Sequence, residues 1–103
     1  MVDKTQQKRF RAIGHKLNPI VTIGGNGFSE SVVNELIRAL DDHELIKVKI
    51  HAEDREDRAK TVAELTKVTG AELIQKVGNV ALIYKPAAKP QPGLSNILRS
   101  GIL

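Results

Sequence analysis

The fold is decided by residues 19–50, which read PIVTIGGNGFSESVVNELIRALDDHELIKVKI. The β-branched residues at 20–23 predict a short buried strand. The glycines of 24–27 then break the chain, and Ser29 is a good N-cap for the helix that follows. That helix has one apolar stripe at helical spacing, made of Val32, Val33, Leu36, Ile37 and Leu40. The stretch therefore predicts a strand, a glycine loop and a capped helix in direct succession.

A second strand is predicted at residues 44–50, where apolar side chains alternate with Lys47 and Lys49. Its apolar face should be packed and its lysine face partly wet. A third helix is expected to begin after Asp54, a suitable N-cap, and to end at Gly70, which suits the left-handed C′ position. The inner face of this helix is expected to consist of Ala59, Val62, Ala63 and Thr66.

The flanking segments extend the same alternation. Upstream, a first helix is expected from Thr5, as N-cap, to His15. It should bury three apolar residues at helical spacing, Phe10, Ile13 and Leu17. Downstream, strands at 73–77 and 80–85 flank Gly78-Asn79, a pair that suits a two-residue hairpin turn.

The predicted order is helix, strand, helix, strand, helix, strand, strand. Such alternation predicts an α/β chain of the two-layer α+β type, with a four-stranded mixed sheet and three helices. Residues 1–85 form the predicted domain. Residues 86–103 are interpreted as a Pro/Ala-rich linker and a short apolar tail, which either docks on the domain or stays disordered.

Composition excludes several classes of protein. With 103 residues the chain has room for one domain. The absence of cysteine removes disulfides, zinc-thiolate sites and thiol nucleophiles. No apolar run approaches a membrane span, and the N-terminus lacks the apolar core of a signal peptide. A cytoplasmic protein with no membrane partner is the expectation.

The positive charge is concentrated at the N-terminus. The net charge is +4, and residues 1–27 account for all of it, since the remaining basic and acidic residues cancel. Such a local excess favours polyanions, because lysine and arginine release counterions from phosphates. A solvated helix face is the alternative interpretation. The basic residues of this segment are Lys4, Lys8, Arg9, Arg11 and Lys16.

The glycine loop, Gly24-Gly25-Asn26-Gly27, is the motif that carries chemistry. Its backbone can adopt left-handed conformations and approach a ligand without interference from Cβ atoms. Its amides, together with the free donors of the helix that begins near Ser29, predict an anion site suited to phosphate. A tight strand-to-helix turn without a ligand is the alternative.

Several short motifs also resemble the CRM-domain family, and in particular its bacterial single-domain members, the YhbY-like RNA-binding proteins. The resemblance covers about residues 5–85. It depends on the order and spacing of Gly14-His15-Lys16-Leu17 with Pro19, the GGNG loop at 24–27, His43 to Lys49, Glu53 to Glu56, Thr69-Gly70-Ala71, and Gly78 with Leu82 to Lys85.

The resemblance implies a fold like the C-terminal domain of bacterial translation initiation factor three. It also implies RNA binding through the GxxG loop and nearby basic residues, with ribosomal RNA in precursors of the large subunit as partner. Two positions depart from the family pattern, since Gly25 stands where a basic residue is common and Lys85 where arginine is common. The expected RNA-binding residues are Gly24, Gly25, Asn26, Gly27, Ser29, Lys8, Arg9, Arg11, Lys16, Lys47, Lys49 and Lys85.

Three alternatives accompany this hypothesis. Lys47 and Lys49 could simply mark the wet face of a strand. The chain could instead compact duplex DNA, or could be an enzyme that acts on a phosphorylated small molecule. No nucleophile–base set and no metal-ligand spacing among the three histidines supports catalysis, so we expect no enzyme, no cofactor, no metal and no small-molecule substrate. The protein is expected to be a monomer.

Overall fold

The computed structural model describes residues 2–25 and 27–100, with the backbone alone for residue 100. The predicted order of the first seven elements is confirmed, and an eighth element, a short helix, follows in the tail. The elements are α1 (Lys4–Gly14), β1 (Pro19–Ile23), α2 (Glu30–His43), β2 (Leu45–Ile50), α3 (Arg55–Thr69), β3 (Glu72–Val77), β4 (Val80–Tyr84) and α4 (Asn96–Ser100).

The four strands form one mixed sheet in the order β1-β2-β4-β3. β1 runs parallel to β2, with Thr22 opposite Lys49 and Ile23 opposite Ile50. β4 is antiparallel to both β2 and β3. Gly78, in the turn between β3 and β4, has a φ of 58°, which glycine adopts without strain. The predicted four-stranded mixed sheet is therefore confirmed.

One face of the sheet packs against α2 and α3. Leu36 and Leu40 of α2 are buried there, together with alternate residues of β1, β2 and β4. Ile37, predicted inside, is 45% exposed, because it lies a further 100° around the helix from Leu36. The predicted inner face of α3 is also partly wrong. Ala59 and Ala63 are exposed, and the buried residues are Val62, Leu65 and Thr69.

The physical reason for the shift on α3 is the size of the side chains. Burying Leu65, which has no exposed surface, removes far more apolar area from water than burying either alanine. The helix therefore turns toward the sheet the stripe that contains Leu65. Asp54 is the N-cap, as predicted, and its carboxylate accepts from the Asp57 backbone N–H at 2.8 Å. Gly70 takes the predicted left-handed conformation, with φ 72°.

The other face of the sheet is partly covered by α1 and α4. Phe10, Leu45, Ile74 and Leu82 form a second buried cluster there. Gly14 lets α1 lie close to β4, because a Cβ at that position would stand 2.6 Å from Leu82 Cδ2. The two-layer core is thus supplemented by a partial layer of helix on this second face.

The N-cap of α1 is Asp3 rather than the predicted Thr5. Asp3 Oδ1 accepts from the Gln6 N–H at 2.8 Å, and the Gln6 side chain returns to the Asp3 N–H at 3.3 Å. This capping box satisfies two donors at once, which a cap at Thr5 would not do. No helix in the described part of the chain is long and apolar enough to cross a membrane.

Tyr84 provides a pH test of the second buried cluster. Its ring lies 4.6 Å from that of Phe10, centroid to centroid. Burial, aided by the charges of Glu44 and Glu72, raises the pKa of Tyr84 above its usual 10.0. The folded state thus holds the phenol proton more tightly than the unfolded state. We expect the free energy of unfolding to fall as pH rises from about 10 through the folded-state pKa.

The measurement is direct because the chain has one tyrosine and no tryptophan. Phenolate absorbance, followed against pH in the folded protein and in strong denaturant, should show the higher midpoint in the folded protein. Equal midpoints in the two titrations would contradict the packing described for Tyr84.

Candidate nucleic-acid interface

In the glycine loop, Gly24 and Gly25 are exposed to solvent and Gly27 is half-buried. An added Cβ at Gly24, Gly25 or Gly27 would meet no heavy atom within 4 Å. Gly27 has a φ of 68°, and its N–H donates to the Gly24 carbonyl at 3.0 Å, so this amide closes the turn. Asn26, one of the predicted RNA-binding residues, lies outside the described residues. The loop therefore offers accessible backbone on its outer side.

The N-terminus of α2 follows the loop directly. Ser29 is its N-cap, as predicted, and the hydroxyl accepts from the Val32 N–H at 3.2 Å. The Ser29 carbonyl accepts from the Val33 N–H at 3.0 Å. The first amides of a helix have no partner within the helix. Since the N–H groups of Val32 and Val33 are bonded to Ser29, the free donors of α2 are the N–H groups of Glu30 and Ser31. Ser29 thus helps to position these donors through its cap.

The loop also forms one wall of an open cleft of about 580 Å³. Glu53, Asp57 and His51 line the same cleft. Asp57 accepts from the Glu53 N–H at 3.2 Å, so one of these carboxylates serves the start of α3. Two carboxylates repel a phosphate in the cleft. A phosphate at the loop would therefore meet less repulsion on the side of the sheet than on the side of α3.

Lys47 and Lys49 lie on the sheet face that α1 partly covers. Their neighbours along β2, Val48 and Ile50, point into the α2–α3 core, so the lysines point the opposite way. Lys49 is exposed and pairs in register with Thr22, two residues before the loop. Lys47 is half-buried and lines a groove with His15 at the end of α1. The two lysines thus connect the glycine loop with α1.

The basic residues around α1 divide into two stripes. Lys8 and Arg11 are exposed and share an outward stripe with Lys4. Arg9 faces α4, where its Nη2 donates to the Ile97 carbonyl at 3.3 Å. Lys16 follows α1 and also lies on the α4 side.

Lys85 does not lie near the glycine loop. Its Nζ donates to the Thr69 carbonyl at 3.0 Å, at the C-terminal end of α3. Lys85 follows β4 at the end of the sheet where Leu45 begins β2, whereas the loop lies beyond the last residue of β1. A cation near a helix C-terminus compensates the helix dipole. The contact with Thr69 therefore gives Lys85 a structural role at the end of α3.

The two sides of the sheet differ in the sign of their net charge. In the described part of the chain, the side of α2 and α3 carries nine acidic and seven basic residues. Two of these basic residues lie outside the helices: Lys76 pairs with Ala81 of the α2–α3 core, and Lys85 contacts the end of α3. The side of α1 and α4 carries eight basic residues. It also has three carboxylates, each of which accepts a hydrogen bond from a backbone N–H group: those of Asp3, Glu44 and Glu72. The eight basic residues are Lys4, Lys8, Arg9, Arg11, Lys16, Lys47, Lys49 and Arg99.

Residues 2–85 match the family profile of the CRS1/YhbY (CRM) domain. The chain belongs to the CRM-domain family. The CRM match begins two residues before α1 and ends one residue after β4, so it includes the whole sheet and the glycine loop. The resemblance found in the sequence motifs is thereby confirmed.

Relatives of this CRM domain occur in several bacteria. A probable RNA-binding protein of Pseudomonas aeruginosa is 46% identical over 94 residues, which cover 91% of this chain and 90% of that protein. An RNA-binding protein of Haemophilus influenzae is 40% identical over 81% of this chain and 85% of its own. The solution structure of a Staphylococcus aureus hypothetical protein has a TM-score of 0.74 and 28% identity, over 86% of this chain and 93% of that chain.

Sequence reasoning missed one basic residue of the CRM domain's charged side. Arg99 lies in α4, beyond the matched family region, and lines a cleft with Lys16 and Lys47. Its only sequence signal was the recurrence of apolar residues at 94–103, which suggested that the tail could dock. The three histidines remain apart, and no group of three metal-ligating side chains occurs among the described residues.

Proposed function

We propose that this CRM protein binds structured RNA, and specifically ribosomal RNA in precursors of the large ribosomal subunit. It acts as a cytoplasmic monomer without catalysis. The RNA lies on the basic face, which we define as the outer side of α1, Lys47 and Lys49 of β2, and the glycine loop. The observation that carries the proposal is the separation of charge across the sheet, with the open glycine loop at the edge of the positive side. The names of the relatives support RNA as the polyanion.

The mode of binding follows from the few aromatic side chains. Phe10 and Tyr84 pack against each other, and Phe28 packs against the α2–α3 core. Proteins that read single-stranded bases usually stack them on exposed aromatic rings. This protein therefore recognises the sugar-phosphate backbone and the shape of a folded RNA, with modest sequence selectivity.

The outward stripe of α1 gives the first prediction for RNA binding. In the Lys8→Ala/Arg11→Ala variant, the Kd for large-subunit ribosomal RNA should rise about 5- to 20-fold. The wild-type protein should show a salt slope that corresponds to about three to six phosphates, and the variant slope should be smaller by about one to two. Fluorescence anisotropy over a salt series measures both quantities.

The matched control removes one arginine and one lysine from the acidic side. Arg38 in α2 and Lys67 in α3 are both exposed, and the Arg38→Ala/Lys67→Ala variant should bind within about twofold of wild type. Similar losses in the two variants would show that only net charge matters. Preference for duplex DNA over ribosomal RNA at the same salt would favour the DNA-compacting alternative.

The ribosomal part of the proposal has its own test. Ultraviolet crosslinking in growing cells, followed by sequencing of the attached RNA, should recover large-subunit ribosomal RNA, and the protein should sediment with precursor particles. Recovery of messenger or transfer RNA alone would overturn the ribosomal assignment and leave RNA binding intact.

A further inference from the structure

A buried carboxylate ties the C-terminal segment to the domain. Glu44, only 5% exposed, joins α2 to β2. Its Oε2 accepts from the Ala87 N–H at 2.9 Å, and its Oε1 accepts from the hydroxyl of Ser95 at 2.7 Å. Ser95 is completely buried. Both partners lie beyond residue 85, where the family match ends.

Hydrogen bonds on both the N–H and the carbonyl of Glu44 fix its backbone conformation. Its φ of 61° is unusual for a residue with a side chain, and it is the single such case among the described non-glycine residues. The Glu44 N–H donates to the Leu40 carbonyl at 2.8 Å, and its carbonyl accepts from the Lys85 N–H at 2.9 Å. Strained residues persist where the surroundings over-determine them, and they concentrate at functional positions.

Residues on either side of Glu44 fix the same segment. His43 Nδ1 lies 2.9 Å from the Leu94 carbonyl, and Asn96 Nδ2 donates to the Leu45 carbonyl at 2.8 Å. Ile97 packs against the buried cluster of α1 and the sheet. We call the contacts of residues 43–45 with residues 87–97 the Glu44 clasp. Together with the hydrogen bond from Arg9 to the Ile97 carbonyl, the clasp positions α4 and hence Arg99.

Arg99 lies in a cleft of about 300 Å³ that it shares with Lys16 and Lys47. None of these three side chains lies within 4.0 Å of a carboxylate in the described part of the chain. Asn18 and Asn96 add amide groups to the same walls. Three cations that line one cleft without a carboxylate among the described residues repel one another, and a bound phosphate relieves this repulsion.

We propose that the Glu44 clasp builds a second phosphate site of the RNA-binding surface, formed by Lys16, Lys47 and Arg99. This inference rests on the proposed function. The five residues of β1 separate the cleft, at Asn18, from the glycine loop by about 16 Å of extended chain. The two sites therefore bind different phosphates of one RNA, and the segment after residue 85 is part of the binding surface.

The test compares two arginines on opposite sides of the sheet in the full-length chain. Arg99→Gln should raise the Kd for large-subunit ribosomal RNA about 5- to 10-fold and should lower the salt slope by about one. Arg38→Gln, which removes the same charge from α2, should bind within about twofold of wild type. Salt-dependent binding by wild type with equal Kd values for the two variants would overturn the second site alone. If wild type did not bind RNA at all, the proposed function would fail and this inference with it.

A double-mutant cycle tests whether the clasp positions Arg99. Ser95→Ala removes the hydroxyl that donates to Glu44 and should loosen α4 while the domain stays folded by circular dichroism. In that background Arg99→Gln should raise the Kd less than about twofold, because Arg99 is no longer held in the cleft. An undiminished effect of Arg99→Gln in the Ser95→Ala chain would show that the clasp does not position Arg99.

Discussion

Replacing Gly27 with aspartate should raise the Kd for large-subunit ribosomal RNA about 10- to 100-fold while the fold stays intact. The new side chain has room, because nothing lies within 4 Å of the Cβ position. It would project a carboxylate from the outer side of the loop, where we place a phosphate. Aspartate is among the residues that tolerate a positive φ such as the 68° of Gly27. Fluorescence anisotropy at one fixed salt concentration measures the change.

Gly27→Asn is the matched control, since it has nearly the same shape and the same tolerance of positive φ but no charge. Its Kd should lie between those of wild type and Gly27→Asp. Wild-type affinity in the Gly27→Asp variant, with an unchanged circular dichroism spectrum, would remove the loop from the binding site.

Leu36→Ala should have the largest effect on stability, with a loss of about 2–5 kcal/mol in the free energy of unfolding. Leu36 has no exposed surface and lies at the centre of the core between α2 and the sheet. Its truncation removes apolar contact and leaves a cavity that the close-packed neighbours cannot fill. Urea unfolding followed by circular dichroism gives the value, and a domain of this size has a modest margin to lose.

The adjacent residue is the control for this change. Ile37, 45% exposed, lies next to Leu36 on the same helix, so Ile37→Ala should cost less than about 1 kcal/mol. Equal losses at the two positions would mean that α2 is rotated relative to its described packing. The pair thus tests the one residue of the α2 stripe that sequence periodicity placed on the wrong side.

Local signals in the sequence were enough to predict the order of the first seven elements, but not the short helix α4. Ser29 and Asp54 cap their helices because their side chains accept bonds from amides three residues ahead, which depends on nearby residues alone. Gly70 and Gly78 adopt positive φ because glycine has no Cβ, which is also a local property. The alternation in β2 was also a reliable signal, since the sheet buries one side of that strand more completely than the other.

Properties that depend on tertiary packing were harder to predict. The rotation of α3 was missed because Leu65 outweighs two alanines only once the opposing sheet is known. The sequence showed that basic residues are concentrated near the N-terminus. It could not show that the sheet separates them from the acidic residues of α2 and α3. Lys85 and the loop lie at different ends of the sheet. Arg99 lies near Lys16 because the Glu44 clasp and the Arg9–Ile97 hydrogen bond hold α4 against the domain.

The central claim is that one side of the sheet, with the glycine loop at its edge, binds RNA. The most direct measurement is an amide chemical-shift map of the labelled full-length protein during titration with large-subunit ribosomal RNA. We expect the largest changes at Gly24, Gly25, Thr22 and Lys49 and along α1, and little change on the outer surface of α3. Changes confined to α2 and α3, with the loop and β2 unaffected, would contradict the account.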